Sequence, residues 1–135
     1  MQLAKKIAEE LELGLKVFLN INKEDILAVP DFNNFDENIE LWENEITELT
    51  MNPQNWTEIT KWNSKEEFEF MHNFVNAHVD DKKLQEKLTF SLQDSKPFRN
   101  FKFLIENNGI YRQQWFDFIT EKREKHIERS LQKNL

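Results

Sequence analysis

Cysteine is absent from this chain of 135 residues, and glycine occurs at only two positions, Gly14 and Gly109. The missing cysteine excludes disulfide bonds, thiolate metal ligands and cysteine nucleophiles, and it argues against a small secreted scaffold. Two widely separated glycines cannot build a phosphate-binding loop, a dinucleotide-binding turn or a Gly-x-Ser-x-Gly nucleophile elbow. Enzymes that depend on one of these glycine-rich motifs are therefore excluded.

Long apolar runs are also missing from the sequence. No window approaches the roughly 20 apolar residues that span a membrane. No apolar stretch of about 7–15 residues follows the first residues to form a signal peptide. We therefore expect a cytoplasmic protein that does not associate with a membrane.

Aromatic and charged side chains are abundant instead. Twelve Phe and four Trp supply the apolar surface of a core, and the chain length fits a single domain over residues 1–135. Residues 1–95 carry 9 basic and 20 acidic side chains, a net charge of −11, whereas residues 96–135 carry 9 basic and 5 acidic side chains, a net charge of +4. Residues 31–48 hold seven carboxylates and no Lys or Arg.

The first half of the chain contains both helix and strand patterns. Helical spacing of apolar residues predicts a helix over residues 3–12 that ends at Gly14. Residues 15–20 and 25–29 have the composition of a β-hairpin, and residues 56–62 predict a third strand, since a lone hairpin is marginal in water. An acidic helix is predicted over about residues 37–50. Its apolar stripe consists of Ile39, Trp42, Ile46 and Leu49.

The second half predicts four helices. Ser64 and Glu67 match a capping box at the start of the first, and Asp80 or Asp81 caps the second. Pro97 suits the first turn of the third helix, and the last begins near residue 110. The predicted fold is therefore α+β, a small antiparallel sheet of about three strands packed with five or six helices.

Two segments near the C-terminal end are the most distinctive. Residues 96–102 read Lys-Pro-Phe-Arg-Asn-Phe-Lys, and residues 111–118 read Tyr-Arg-Gln-Gln-Trp-Phe-Asp-Phe. They resemble the C-terminal signature of a bacterial uncharacterised protein family of the UPF series, in which a Pro-Phe-Arg-x-Phe-Lys helix start precedes a Trp-Phe-x-Phe helix. The resemblance extends over most of the chain. It implies a bacterial, intracellular protein and carries no activity with it.

The basic side chains of these segments allow two interpretations. The aromatic residues have the spacing of two helices that pack through their rings, with Arg99 and Lys102 beside the stripe. In the first interpretation, Arg99 is fixed inside this hairpin, stacked on a ring or paired with Asp117. In the second, Arg99, Lys102 and Arg112 are free and line an anion-binding groove.

No residue pattern identifies a catalytic or metal site. Glu69 and His72 place two metal-binding groups one helical turn apart, but a carboxylate-bridged metal bundle needs a second such pair, which His78 and His126 do not provide. The carboxylates of residues 31–48 single out no acid–base pair. We therefore expect a non-catalytic protein without a metal or a cofactor.

The charge layout favours a binding function, and the favoured hypothesis is a protein-interaction or regulatory domain. The acidic segment suits a basic protein partner, through Glu40, Glu43 and Glu48 and with Trp42 as an anchor if its ring is exposed. In the alternative interpretation, Trp42 packs inward. The second hypothesis is weak nucleic-acid binding by residues 96–133, where cations alternate with aromatic rings, although the net charge of −7 opposes it.

Overall fold

A computed structural model of the chain describes residues 2–31 and 39–133. These residues form six α-helices, three β-strands and two short 3-10 segments, Ile39–Trp42 and Pro53–Asn55. The helices are α1 (Gln2–Glu12), α2 (Glu43–Met51), α3 (Ser64–His78), α4 (Lys82–Leu92), α5 (Pro97–Glu106) and α6 (Gly109–Lys133). The strands are β1 (Leu15–Asn20), β2 (Ile26–Pro30) and β3 (Trp56–Glu58). The predicted α+β class is confirmed.

The chain divides into two compact units. The first consists of Met1–Lys61 and Glu124–Leu135, and the second of Trp62–Arg123. Helix α6 contributes to both units. The single domain over residues 1–135 stays a prediction. Within the described residues, no helix is both long and apolar enough to cross a membrane.

The first unit contains an antiparallel sheet in the order β2-β1-β3. Strand β2 pairs with β1 from Ile26 opposite Leu19 to Pro30 opposite Leu15. Pro30 is the last residue of β2, one residue beyond the predicted range of 25–29. The missing N–H of Pro30 is tolerated because β2 lies at the edge of the sheet.

Helix α1 covers this sheet with an apolar face and ends as predicted, since Gly14 follows it with a φ of +90°. A residue with a side chain is strained at that angle. The buried apolar side chains of the first unit are Ala4, Ile7, Ala8, Leu11, Val17, Leu19, Val29, Ile59, Ile127 and Leu131.

Two predicted elements of the first unit are shorter in the structure. Strand β3 has three residues instead of the predicted 56–62, although the backbone N–H of Ile59 still donates to the carbonyl of Val17 at 2.9 Å. The predicted acidic helix begins with the 3-10 segment Ile39–Trp42 and becomes α-helical only at Glu43. Residues 37 and 38 lie outside the described part of the chain.

The start of α3 differs from the prediction by one residue. Asn63, not Ser64, is the N-cap: its side-chain oxygen accepts a hydrogen bond from the backbone N–H of Glu66 at 2.8 Å. The Glu66 carboxylate accepts in return from the backbone N–H of Asn63 at 3.1 Å. Asn and Ser cap equally well, and Glu follows each of them three residues later, so the sequence does not distinguish the two registers.

The second unit packs α3, α4, α5 and the first part of α6 around aromatic rings. The Trp115 ring lies 4.9 Å from Phe101 and 5.3 Å from Phe74, measured between centroids, both in edge-on geometry. The Phe118 ring lies 5.3 Å from Phe74. The core residues of this unit are Met71, Phe74, Val75, Val79, Leu84, Leu88, Leu92, Phe101 and Ile105.

Substitution of Phe101 by Ala is expected to lower the free energy of unfolding by about 3–5 kcal/mol, because this ring is 1% exposed and its removal leaves a cavity. Phe103→Ala is the matched control two residues away. Its ring is 67% exposed, so its change is expected within about 0.5 kcal/mol. Urea unfolding followed by circular dichroism measures the free energy of unfolding of both variants. Equal losses would contradict the burial of Phe101 in this core.

The observed capping register gives a second prediction. Asn63→Ala is expected to cost about 1 kcal/mol of stability, because it removes an acceptor for the Glu66 N–H. Ser64→Ala is expected to change stability far less. If urea unfolding showed a larger loss of stability for Ser64→Ala than for Asn63→Ala, Ser64 would be the N-cap, as the sequence predicted.

Candidate functional site

A surface groove lies between helices α4 and α5. A turn of four residues joins these helices, and such a short connection gives an antiparallel helical hairpin. Asp94 fixes the turn: its carboxylate accepts from the backbone N–H of Ser95 at 2.7 Å and from the side-chain amide of Asn100 at 2.9 Å. The groove is therefore closed at one end by a turn that hydrogen bonds hold in place.

The groove has a volume of about 660 Å³, within the range of about 300–1,000 Å³ that is common for ligand sites. Apolar side chains from both helices line it, together with charged side chains of α4. The lining residues are Lys83, Glu86, Lys87, Phe90, Ser91, Asp94, Asn100, Phe103 and Leu104.

Two phenylalanine rings in this groove are largely exposed. Phe90 on α4 is 73% exposed and Phe103 on α5 is 67% exposed, while Leu104 is half-buried beside them. Large apolar side chains that share one concave surface mark interaction sites more often than single exposed ones do. Sequence reasoning missed both rings as site residues, because neither belongs to a motif or to a charge cluster.

The charged groups at one end of the groove are available for contact. Lys83 and Lys87 lie one turn apart on α4, with Glu86 between them. Among the described residues, neither lysine forms an ion pair. The hydroxyl of Ser91, in contrast, is buried and donates to the carbonyl of Leu88 at 2.6 Å, so it does not offer a free nucleophile.

The three basic residues predicted to form an anion-binding groove lie on helices α5 and α6. Arg99 is exposed and makes no ion pair within the described part of the chain, so the pairing with Asp117 is absent there. Asp117 accepts instead from Gln113 at 2.9 Å. Lys102 is exposed and lies 3.9 Å from Glu106.

Arg112 lines another, smaller hollow at the start of α6. This hollow has a volume of about 380 Å³ and is lined by Gly109, Arg112, Gln113 and Phe116 on the first turns of α6. Phe116 is 60% exposed. An anion site at these cations stays a prediction.

The acidic residues predicted for a basic partner have different environments. Glu40 and Glu43 are exposed, and Trp42 is half-buried. Glu48 is engaged within its unit, because its carboxylate accepts from the indole N–H of Trp56 at 3.0 Å and from the side chain of Asn52 at 3.1 Å. Residues 32–38 of the acidic segment lie outside the described residues.

Some titratable groups of the described residues can be assigned to specific contacts. No group of three or more His, Asp or Glu side chains there is placed to hold a metal ion. The hydroxyl of Tyr111 donates to Asp80, and this hydrogen bond raises the pKa of Tyr111. His72 contacts the Asn76 amide at 3.1 Å.

Comparison with protein-family models gives one match over nearly the whole chain. The model described as Uncharacterised protein family (UPF0158) matches residues 3–135. Neither a curated protein nor a solved structure matches the chain.

The two interpretations of Arg99 predict different stabilities for its alanine variant. Because Arg99 is exposed, Arg99→Ala is expected to change the free energy of unfolding by less than about 0.5 kcal/mol. Arg123→Ala is the contrasting variant, with an expected loss of about 2 kcal/mol. Arg123 donates to Glu67 at 2.6 Å and lies 5.2 Å above the Trp62 ring. A marked loss for Arg99→Ala in thermal or urea unfolding would support the inward interpretation.

Proposed function

The chain belongs to the uncharacterised protein family (UPF0158), and from the geometry of its surface we propose that it is a non-catalytic protein-interaction domain. Its contact surface is the groove between α4 and α5. The occupant is a segment of a partner protein that carries apolar side chains and carboxylates. The observation that carries the proposal is the pair of exposed rings, Phe90 and Phe103.

The exposed rings are the reason for expecting apolar side chains on the partner. Both are exposed although many side chains of the same unit are fully buried, and contact with an apolar partner would remove their surface from water. A groove between two helices also has the shape that receives an amphipathic helix of another protein. Aromatic residues are frequent among those that contribute most to such interfaces.

The carboxylates of the partner follow from charge complementarity. Lys83 and Lys87 stand at the rim of the groove, and Arg99 is exposed one helical turn before Phe103 on α5. Cations at a rim raise the association rate of an acidic partner and disfavour a basic one. The residues of this surface are different from those of the acidic segment, where Glu40, Glu43 and Glu48 remain the predicted contacts for a basic protein.

Selection from a random peptide library displayed on phage tests this proposal. Enriched peptides are expected to combine Leu, Phe or Trp with Asp or Glu. Their dissociation constants, measured by fluorescence anisotropy, are expected to rise about tenfold to a hundredfold for Phe90→Ser and for Phe103→Ser, because each substitution removes an anchor of the contact.

Phe116→Ser is the matched control, since Phe116 is similarly exposed but lies outside the groove. It is expected to leave peptide binding unchanged. A failure to enrich any peptide that depends on Phe90 or Phe103 would contradict the proposal. Micromolar binding of a labelled single-stranded oligonucleotide at low salt, lost in Arg112→Ala or Phe116→Ser, would favour the nucleic-acid alternative instead.

A further inference from the structure

The sheet of the first unit has an outer strand, β2, and we propose that an extended basic segment of another protein binds along it as a fourth strand. Strand β2 occupies one edge of the order β2-β1-β3. Addition of a strand to a sheet edge is a recurring way for proteins to bind peptides. The site, the partner and the mode of binding differ from those of the α4–α5 groove, so neither proposal depends on the other.

The register of the hairpin decides which backbone groups of β2 point away from β1. The backbone N–H of Asn20 donates to the carbonyl of Asp25 at 2.8 Å, so these two residues form a hydrogen-bonded pair. Along an antiparallel strand, such pairs alternate with residues whose backbone groups point to the other side. The backbone groups of Ile26, Ala28 and Pro30 therefore point outward from the sheet.

Two backbone donors on this edge, the N–H groups of Ile26 and Ala28, have no acceptor within residues 2–31 and 39–133. Pro30 contributes only its carbonyl, because a proline nitrogen carries no hydrogen. An antiparallel segment would exchange two hydrogen bonds with Ile26 and two with Ala28, and it would donate one to Pro30. The edge therefore provides about five backbone hydrogen bonds to a partner.

The distribution of charge between the two units indicates the charge of the partner. Residues 1–61 and 124–135 carry 15 acidic and 8 basic side chains, a net charge of −7. Residues 62–123 carry 10 acidic and 10 basic side chains. The entire net charge of the chain therefore belongs to the unit that contains the sheet, and this unit attracts a basic partner and repels an acidic one.

Carboxylates flank β2 on both sides along the chain. Glu24 and Asp25 precede the strand, and Asp31 follows it. The cations of the hairpin are Lys23 in the turn and Lys16 on β1. Helix α2, which packs against β2, contains three glutamates and no Lys or Arg. Lysines or arginines beyond both ends of a bound strand therefore meet an excess of carboxylates.

The side chains of β2 favour an apolar middle in the partner. No charged residue occurs from Ile26 to Pro30, so nothing in this stretch compensates a charge on the opposite strand. Ala28 is half-buried and presents a single methyl group. A β-branched or aromatic side chain directly opposite Ala28 therefore has room to pack. The expected occupant is a segment of about five apolar residues with Lys or Arg beyond each end.

Selection from a displayed peptide library tests this proposal. Each peptide carries five randomised residues between two lysines at either end, and a matched library has glutamates in place of the lysines. The lysine library is expected to enrich peptides with Val, Ile, Phe or Tyr at the middle position, and the glutamate library none. Their dissociation constants are expected to rise about tenfold between about 50 mM and 0.5 M salt.

Backbone substitutions locate the binding site. Ala28→Pro removes an outward N–H and leaves the bonds to β1 in place, so it is expected to raise the dissociation constant about tenfold. Ala28→Ser keeps this N–H and is expected to bind within about twofold of the unchanged chain. In the unchanged chain, a saturating peptide is expected to slow hydrogen exchange of the Ile26 and Ala28 amides about tenfold, as measured by NMR.

Three results would overturn the proposal. The first is a selection that enriches no lysine-flanked peptide. The second is binding that leaves the exchange of the Ile26 and Ala28 amides unchanged, which would place the peptide elsewhere even if Ala28→Pro failed to fold. The third is a dimer of the free protein in sedimentation equilibrium that Ala28→Pro dissociates, because a second copy of the chain would then occupy the edge.

Discussion

The rotation of helix α5 about its own axis is the constraint on which the candidate site depends. Phe101 and Ile105 are buried side by side, and the Trp115 ring packs against Phe101. Successive residues of a helix are turned by about 100°, so Phe103 lies about 200° from Phe101. Once the aromatic core fixes Phe101 inward, Phe103 must face away from it. The groove is therefore a consequence of the core.

Much of the fold could be predicted from local chemistry. The hairpin and the position of Pro97 followed from residue types alone. The buried Leu84, Leu88 and Leu92 of α4 recur at helical spacing, so the sequence also records the inward face of this helix. The errors concern boundaries. Adjacent Asn63 and Ser64 offered equivalent caps, and Trp62 has strand composition but is buried outside the sheet. Tertiary packing decides such cases, and sequence patterns do not record it.

The candidate site could not be predicted for a related reason. In a chain with twelve phenylalanines, composition assigns every ring to the core, and only the packed helices show that Phe90 and Phe103 are left outside it. Charge patterns directed attention to Arg99, Arg112 and the acidic segment. Charge is visible in a sequence, whereas exposure of an apolar ring arises only after the helices pack. The environment of Glu48 could not be predicted either, because its carboxylate accepts a hydrogen bond from Trp56, a residue of another element.

The exposed rings also have a colloidal consequence. Copies of this chain present apolar surface to one another, and their net charge of −7 is the long-range force that opposes such encounters at neutral pH. That repulsion vanishes near the isoelectric point of about 5.0. Mild acidification therefore removes the electrostatic barrier while the Phe90 and Phe103 rings remain uncovered, and contact between these rings then promotes aggregation of the protein.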